Sequence, residues 1–139
     1  MSPPDLDFLG QPLEPDGSAG ELLKGILEDE AYDDVIFVVA WARFRGLWRL
    51  RTELEGIRLG VRRGQACYWP SSSSPEAFVF HDERPGTFRP KLCLARGAQR
   101  ARLIVGSSNL TPGGLFANVE ATLDASFDLP SEEAHPAPV

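Results

Sequence analysis

The sequence predicts an α/β domain in which helices cover a mixed β-sheet. Residues 35–39 form an uninterrupted, mostly β-branched apolar run, which is typical of a strand buried on both faces. Residues 18–30 and 46–56 repeat apolar side chains at helical spacing. Residues 87–95 and 100–107 have the composition of two strands joined by a turn, which could pair as a hairpin.

The first half of the chain is predicted to begin with a lead-in and then to alternate helix and strand. Residues 1–17 hold four prolines and several acids, which favours a flexible or extended segment. Ser18 is placed to cap the first helix, with Glu21 completing a capping box, and Gly56 ends the second helix. The apolar stripes of the two helices are Leu22, Leu23, Ile26 and Leu27, and then Leu47, Leu50 and Leu54.

The second half of the chain is predicted to contain more strands and one more helix. Residues 57–62 alternate apolar with basic or small residues, which indicates a half-exposed strand with a basic face. A serine-rich loop and a short strand within residues 77–86 precede the hairpin. Residues 111–123 are predicted as a loop running into a helix, capped by Thr111 with Pro112 in its first turn. A single domain therefore spans residues 18–128, and residues 129–139 are predicted as a flexible tail rich in proline and acids.

Charge is distributed unevenly along the chain. Residues 1–34 hold ten acids and one lysine, and residues 111–139 hold five acids and no arginine or lysine. Residues 35–110 hold thirteen arginines or lysines and five acids, although the whole chain has a net charge of −6. A basic middle between acidic ends suits a polyanionic ligand. Solvated arginines that pair with the acidic ends are the alternative, and charge alone favours it.

Other residue types restrict the class of protein. Cys67 and Cys93 match no redox or metal motif and are expected to be reduced thiols. His81 and His135 lie far apart, so we expect no metal site and no cofactor. The longest apolar run, residues 35–42, is too short to span a bilayer, and the first ten residues lack the features of a secretion signal. We therefore expect a cytoplasmic protein without a membrane partner.

Two neighbouring segments carry the residues best suited to chemistry. In a strand, Arg89 and Lys91 point to the same side, and Pro90, Leu92 and Leu94 would then face the core. The next strand ends in a polar loop, in which backbone N–H groups and small polar side chains can bind an anion. A guanidinium, an ammonium, two hydroxyls and an amide together would hold a phosphate. The polar loop residues are Ser107, Ser108 and Asn109, which follow Gly106.

Residues 87–121 resemble the signature segment of the phospholipase D superfamily, and in particular its nuclease-like branch of metal-independent endonucleases. That branch carries His-x-Lys, then Gly-Ser-x-Asn, then Leu-Thr, a glycine pair and a downstream glutamate. The matching residues here are Lys91, the run from Gly106 to Thr111, and Glu120. The resemblance implies one phospholipase D-like domain, shortened between its second strand and the motif. It also implies that Lys91 and Asn109 hold phosphoryl oxygens and that Ser107 and Glu120 belong to the site.

The chain departs from the resembled motif at its nucleophile. In that family the histidine attacks the phosphodiester and forms a phosphohistidine without a metal, but Arg89 occupies the histidine position here. Arginine stays protonated and has no lone pair with which to attack. His81 is the only nearby histidine and is an alternative nucleophile. Single-motif members build their site across a two-fold axis, so the resemblance implies a homodimer with Arg89 near the interface.

Three functions follow from this sequence. The first is a nuclease homologue with an impaired site, which binds a phosphodiester backbone or a partner subunit and acts in DNA processing or defence. DNA is favoured over RNA. The second is an active metal-independent phosphodiesterase, and the third is a structural or interaction module with a relic site.

Taken singly, Lys91, Ser107, Ser108, Asn109 and Glu120 are ordinary surface or turn residues. Trp41, Trp48 and Trp69 are expected in the core or an interface rather than against bases.

Overall fold

The computed structural model describes residues 2–11, 17–50, 57–62, 76–80 and 89–130. These residues form three helices and a single mixed sheet of seven strands. In chain order they are β1 (Asp5–Gln11), α1 (Ala19–Glu28), β2 (Asp34–Val39), α2 (Phe44–Leu50), β3 (Ile57–Arg62), β4 (Glu76–Phe80), β5 (Lys91–Arg96), β6 (Arg100–Gly106), α3 (Pro112–Phe116) and β7 (Glu120–Asp128).

The strands lie in the order β1-β7-β6-β5-β2-β3-β4. β2, β3 and β4 pair in parallel, and all the other pairs are antiparallel. A parallel pair requires a crossover connection, which α2 supplies between β2 and β3. The predicted α/β domain with a mixed sheet and flanking helices is therefore confirmed, as is the hairpin of β5 and β6.

The caps of two helices form as the sequence predicts. The Ser18 hydroxyl accepts a hydrogen bond from the Glu21 backbone N–H at 3.1 Å, at the start of α1. The Thr111 hydroxyl accepts from the Gly114 N–H at 3.1 Å, and Pro112 opens α3. The residues predicted to end the second helix, including Leu54 and Gly56, lie outside the described residues, as does the serine-rich loop.

The core lies between one face of the sheet and the three described helices. On the sheet side it is formed by alternate residues of β2, β5 and β6, and on the helix side by the predicted stripes of α1 and α2 together with α3. Its members are Leu23, Ile26, Val35, Phe37, Val39, Ala42, Leu47, Leu50, Cys93, Ala95, Ile104, Leu110 and Leu115. We call the opposite face of the sheet the outer face. It carries the other alternate residues, among them Val38, Leu94, Val105 and Leu123.

The predicted face of β5 is wrong. Cys93 and Ala95 are buried in the core, whereas Leu94 is exposed on the outer face and Leu92 is half-buried there. Both sets of β5 side chains are apolar, so alternation alone does not say which set meets the helices. Lys91 consequently points to the helix side, at the end of the strand.

Trp41 and Trp48 are exposed rather than in the core, and Trp69 lies outside the described residues.

The structure differs from the sequence prediction at two further places, a lead-in predicted as flexible or extended and a predicted helix. Asp5–Gln11, within the predicted lead-in, forms the edge strand β1, which pairs with β7 along its whole length. The helix predicted to continue through residue 123 ends at Phe116, and Glu120–Asp128 forms β7. The apolar residues Val119 and Leu123 fit both a helical and an alternating spacing, and pairing with β1 and β6 selects the strand. The tail from residue 131 lies outside the described residues.

One ion pair joins the basic middle of the chain to its acidic end. Arg102 on β6 donates from Nε to Asp124 Oδ1 on β7 at 2.8 Å, and its terminal nitrogen donates to the other carboxylate oxygen. This hydrogen-bonded contact raises the pKa of the Arg102 guanidinium above its usual value. Asp124 is buried, so its charge is balanced by this contact. Within the described ranges, no helix has both the length and the apolarity that a membrane span needs.

Candidate functional site

The residues of the predicted site meet where β5 begins and β6 ends. The two strands are antiparallel, so the start of β5 lies beside the end of β6. Lys91 is the first residue of β5 and is half-buried, and Arg89 is exposed two residues earlier. The Lys91 ammonium donates to the Arg89 carbonyl oxygen at 3.2 Å. Two cationic side chains therefore lie at this end of the sheet.

The loop that follows β6 is fixed from two sides. A Cβ at Gly106 would lie 2.6 Å from the Ala121 carbonyl oxygen, so only glycine allows β6 and β7 to approach this closely here. Further along, the Leu110 N–H donates to the Trp41 carbonyl at 3.1 Å, and the Arg43 N–H donates to the Leu110 carbonyl at 2.9 Å. These bonds attach the loop to the segment after β2 and restrict the positions of Ser107, Ser108 and Asn109.

Ser107 and Glu120 are hydrogen-bonded to each other. The Ser107 hydroxyl donates to Glu120 Oε2 and accepts from the Ala121 N–H at 3.0 Å. The Asn118 amide donates to the other Glu120 oxygen at 3.4 Å. The single hydroxyl proton of Ser107 is thus committed to Glu120, and the carboxylate is held by two donors.

Ser108 and Asn109 carry buried polar atoms without a hydrogen-bond partner, namely Ser108 Oγ and Asn109 Oδ1. Such atoms are rare in folded proteins because each loses its hydration without compensation. Ser108 and Lys91 line one cavity of about 30 Å³, which is large enough for a water molecule. The unused hydroxyl proton of Ser108 is therefore available to an oxygen atom that enters beside Lys91.

The rest of this cavity is largely apolar. Phe37, Ile104 and Leu110 line it together with Cys93. Burial raises the pKa of the Cys93 thiol to about 12; the smaller effects of Arg102 and Asp124 oppose each other, Arg102 lowering it and Asp124 raising it. The thiol is therefore protonated at neutral pH and is a poor nucleophile.

This chain resembles known proteins in structure and not in sequence. The chain matches no known protein family by its sequence, and no curated protein matches it by sequence either. Solved structures do match. Yeast tyrosyl-DNA phosphodiesterase superposes with a TM-score of 0.63 and 14% identity over 86% of this chain. NucT from Helicobacter pylori gives 0.58 and 16% over 88%, and the phospholipase D family member Nuc from Salmonella typhimurium gives 0.54 and 12% over 88%.

The chain has a phospholipase D-like fold. Identities of 12% to 16% establish the fold alone. This chain spans only 31% of the length of the yeast enzyme, but 85% of NucT and 82% of Nuc.

Within the phospholipase D-like fold, most of the predicted residues fall into two groups. Arg89, Lys91 and Ser108 lie around the start of β5, and Ser107 and Glu120 lie at the start of β7. Gly106 lines the cavity and directly precedes Ser107, so it joins the groups. His81, the alternative nucleophile, and His135 both lie outside the described residues. In the part of the chain that is described, no group of three His, Cys, Asp or Glu residues could hold a metal ion.

Sequence reasoning missed two residues that support the second group. Gln11, at the end of β1, is buried, and its amide donates to the Gly114 and Asn118 carbonyls at 3.2 and 3.0 Å. Its carbonyl oxygen accepts from the Ala19 N–H at 2.9 Å. Gln11 thus fixes Asn118, which in turn holds Glu120. Gln11 belongs to the segment predicted to be flexible, so the sequence carried no signal for this role.

Proposed function

We propose that this protein is a phospholipase D-like nuclease homologue that binds the phosphodiester backbone of nucleic acid. Its ligand is DNA rather than RNA, and its cleavage activity is impaired. The observation that carries the proposal is that Lys91 and Ser108 line the same cavity and that the Ser108 hydroxyl has no hydrogen-bond partner. The yeast neighbour is a tyrosyl-DNA phosphodiesterase, and its name supports a phosphodiester of DNA as the ligand class.

Binding would rest on charge and on hydrogen-bond donors. Lys91 supplies an ammonium, and Arg89 supplies a guanidinium whose planar fork can hold two phosphate oxygens. The Ser108 hydroxyl would donate a further bond, which would end its unpartnered state. We assign Asn109 to the same phosphate through its amide N–H groups. Ser107 and Glu120 would hold the loop in place, since they are already bonded to each other.

Cleavage would be impaired because no suitable nucleophile faces this phosphate among the described residues. Arginine has no lone pair with which to attack, which excludes Arg89. The Ser108 hydroxyl has no hydrogen-bond partner and therefore no adjacent base to take its proton. The Ser107 proton is committed to Glu120, and the Cys93 thiol is protonated and buried. We propose a cytoplasmic, dimeric accessory role in DNA processing or defence, in which the protein holds a DNA backbone or a partner subunit.

Lys91→Ala tests the binding site. We expect it to weaken binding of a fluorescent DNA oligonucleotide by about tenfold, the loss of one charge-assisted contact. The chain offers a matched control, because Lys24 on α1 is its only other lysine. Lys24→Ala removes the same charge from a helix residue that does not line the cavity, and should leave the affinity unchanged. Equal effects of the two substitutions, or no binding by the unsubstituted protein, would contradict the proposal.

Arg89→His tests the impaired chemistry. In EDTA, we expect the unsubstituted protein to leave plasmid and single-stranded DNA intact and the Arg89→His variant to cut both. Adding Lys91→Ala to the variant should abolish the cutting. Cleavage by the unsubstituted protein would instead point to another nucleophile, with His81 the first to examine.

A further inference from the structure

An exposed tryptophan lies beside the candidate site. β2 ends at Val39, which pairs with Lys91 at the start of β5, and Trp41 follows two residues later. The Leu110 N–H donates to the Trp41 carbonyl oxygen at 3.1 Å. Leu110 directly follows Asn109 in the loop after β6, and consecutive Cα atoms are only about 3.8 Å apart. Trp41 is therefore attached to the same end of the sheet as the residues of the site.

The backbone around Trp41 directs its side chain outward. Ala42 forms a parallel bridge with Leu110, and both residues are buried. Successive side chains of an extended segment point to opposite sides, so the two neighbours of Ala42, Trp41 and Arg43, both point away from the core, and both are exposed. A Cβ at Gly46 would lie 2.5 Å from the Leu110 carbonyl oxygen, so α2 packs directly against the same loop. The bridge and α2 together fix the backbone that carries Trp41.

Trp41 presents an aromatic ring and a cation together. The residue is 42% exposed, and the guanidinium carbon of Arg43 lies 5.4 Å from the centroid of its ring. This distance is within the range of a cation–π contact, which favours one orientation of the indole. The exposed part of the ring is then available to a second planar group, because aromatic rings also stack on one another.

The charge around Trp41 favours a nucleic acid over a protein as the ligand. Residues 35–50 contain no aspartate or glutamate, and Arg43 and Arg45 are exposed beside the tryptophan. Aromatic side chains that stack on bases, next to cations that follow the backbone, are the elements of surfaces that bind single strands. In a duplex the bases are enclosed in the stack and cannot reach such a ring. The surface is therefore suited to unpaired bases.

We propose that Trp41 stacks on a base of single-stranded DNA whose phosphate is held at Lys91 and Ser108. The inference rests on the proposed function, because the phosphate site places the strand, and it extends that function by making an unpaired strand the ligand. Arg43 and Arg45 contact the phosphates next to the stacked base. The contact at Trp41 selects no sequence, since every base has a π-face.

A strand without bases separates stacking from phosphate binding. Fluorescence anisotropy measures the affinity for labelled oligothymidine and for an abasic strand of the same length, which keeps the sugars and phosphates. We expect the unsubstituted protein to bind oligothymidine at least about fivefold more tightly than the abasic strand. Trp41→Ala should remove this preference by weakening the binding of oligothymidine alone. Trp41→Phe keeps an aromatic ring and should retain most of the preference.

Two controls test whether the effect is specific to Trp41 and to unpaired bases. Trp48 is a matched tryptophan, which is 44% exposed but lies within α2, and Trp48→Ala should leave the preference unchanged. Trp41→Ala should also leave the binding of duplex DNA unchanged, because a duplex offers it no base face. Circular dichroism checks that each variant is folded.

Lys91→Ala distinguishes failure of this inference from failure of the proposed function. It should weaken the binding of both strands equally, since both carry the phosphate. If it does so but the unsubstituted protein shows no preference for oligothymidine, stacking is wrong and a protein contact becomes the role of Trp41. If Lys91→Ala affects neither strand, the phosphate site is wrong, and so is the position assigned to the base. Equal losses in Trp41→Ala and Trp48→Ala would overturn the assignment of the base to Trp41.

Discussion

Arg89 brings a permanent positive charge to the position where the resembled motif has its nucleophile. Lys91 and Ser107 could be assigned to neighbouring strand ends from the sequence. Glu120 was included only through the resemblance, because its segment was predicted as a helix and in fact opens β7. The bond from Ser107 to Glu120 and the supporting role of Gln11 could not. Both depend on which strands pair, and Gln11 meets Asn118 only because β1 lies beside β7.

Cys93 provides a prediction at the scale of a single residue. Its pKa is raised from 9.0 to about 12 by burial, so the unfolded thiol ionises first as the pH rises. Above about pH 9 the folded state binds more protons than the unfolded state, and the free energy of unfolding falls. The expected loss is about 1.4 kcal/mol per pH unit until about pH 12. Below pH 9 this contribution is fully present.

Urea unfolding at a series of alkaline pH values checks this prediction. The Cys93→Ala variant is the control, because it retains Cys67 and every other titrating group. The free energy of unfolding should fall less steeply with pH in the variant. Equal slopes in the two proteins would contradict the assigned burial of the thiol.

Elements formed from strong local signals were predicted well, and those that depend on distant partners were not. α1 follows from its cap and its stripe, and β3 was predicted with its observed bounds. β1 and β7 were missed, and both depend on distant partners: β1 pairs with β7, and β7 pairs with both β1 and β6. Both sequences do alternate polar with apolar residues, β7 over its whole length and β1 from Asp5 to Phe8, which is a strand signal that the sequence analysis did not use. The prolines and acids of the first segment, and the glycine pair before the second, favoured other structures instead.

Two glycines give opposite predictions at the scale of the element. A Cβ at Gly25 in α1 would meet nothing within 4 Å. Gly25→Ala should therefore raise the free energy of unfolding by about 0.5–1 kcal/mol, through helix propensity. At Gly106 a Cβ would meet the Ala121 carbonyl at 2.6 Å, so Gly106→Ala should lower it by about 1–3 kcal/mol. Denaturant unfolding measures both, and effects of the same sign would contradict the placement of β6 against β7.

The whole molecule separates charge from apolar surface. Cationic residues of the site lie at one end of the sheet, on the helix side, whereas much of the outer face is apolar, including Leu94, Val105 and Leu123. The sequence predicted a basic middle, but it could not say whether the arginines form one surface, because that depends on the fold. Arg102 is in fact paired with Asp124, and Arg49 lies over the ring of Phe116 at 3.8 Å.

The salt dependence of DNA binding tests this distribution. If only Arg89 and Lys91 neutralise phosphates, the logarithm of the binding constant should fall against that of salt concentration with a slope of about −2. Oligonucleotide binding at several salt concentrations measures the slope, and Lys91→Ala should make it shallower by about one. A slope steeper than about −5 would mean that many other arginines contact the backbone.

The pairing of β1 with β7 has a consequence for the order in which the fold is completed on the ribosome. Among the strands that the structure describes, β1 is made first and its partner β7 last, and the Gln11 amide bonds Gly114, 103 residues away. The first strand must therefore wait, unpaired, until nearly the whole domain has emerged. Closing such a long loop is slow, so the sheet is expected to gain its edge strand, and with it the Gln11 support of Asn118, in the final step of folding.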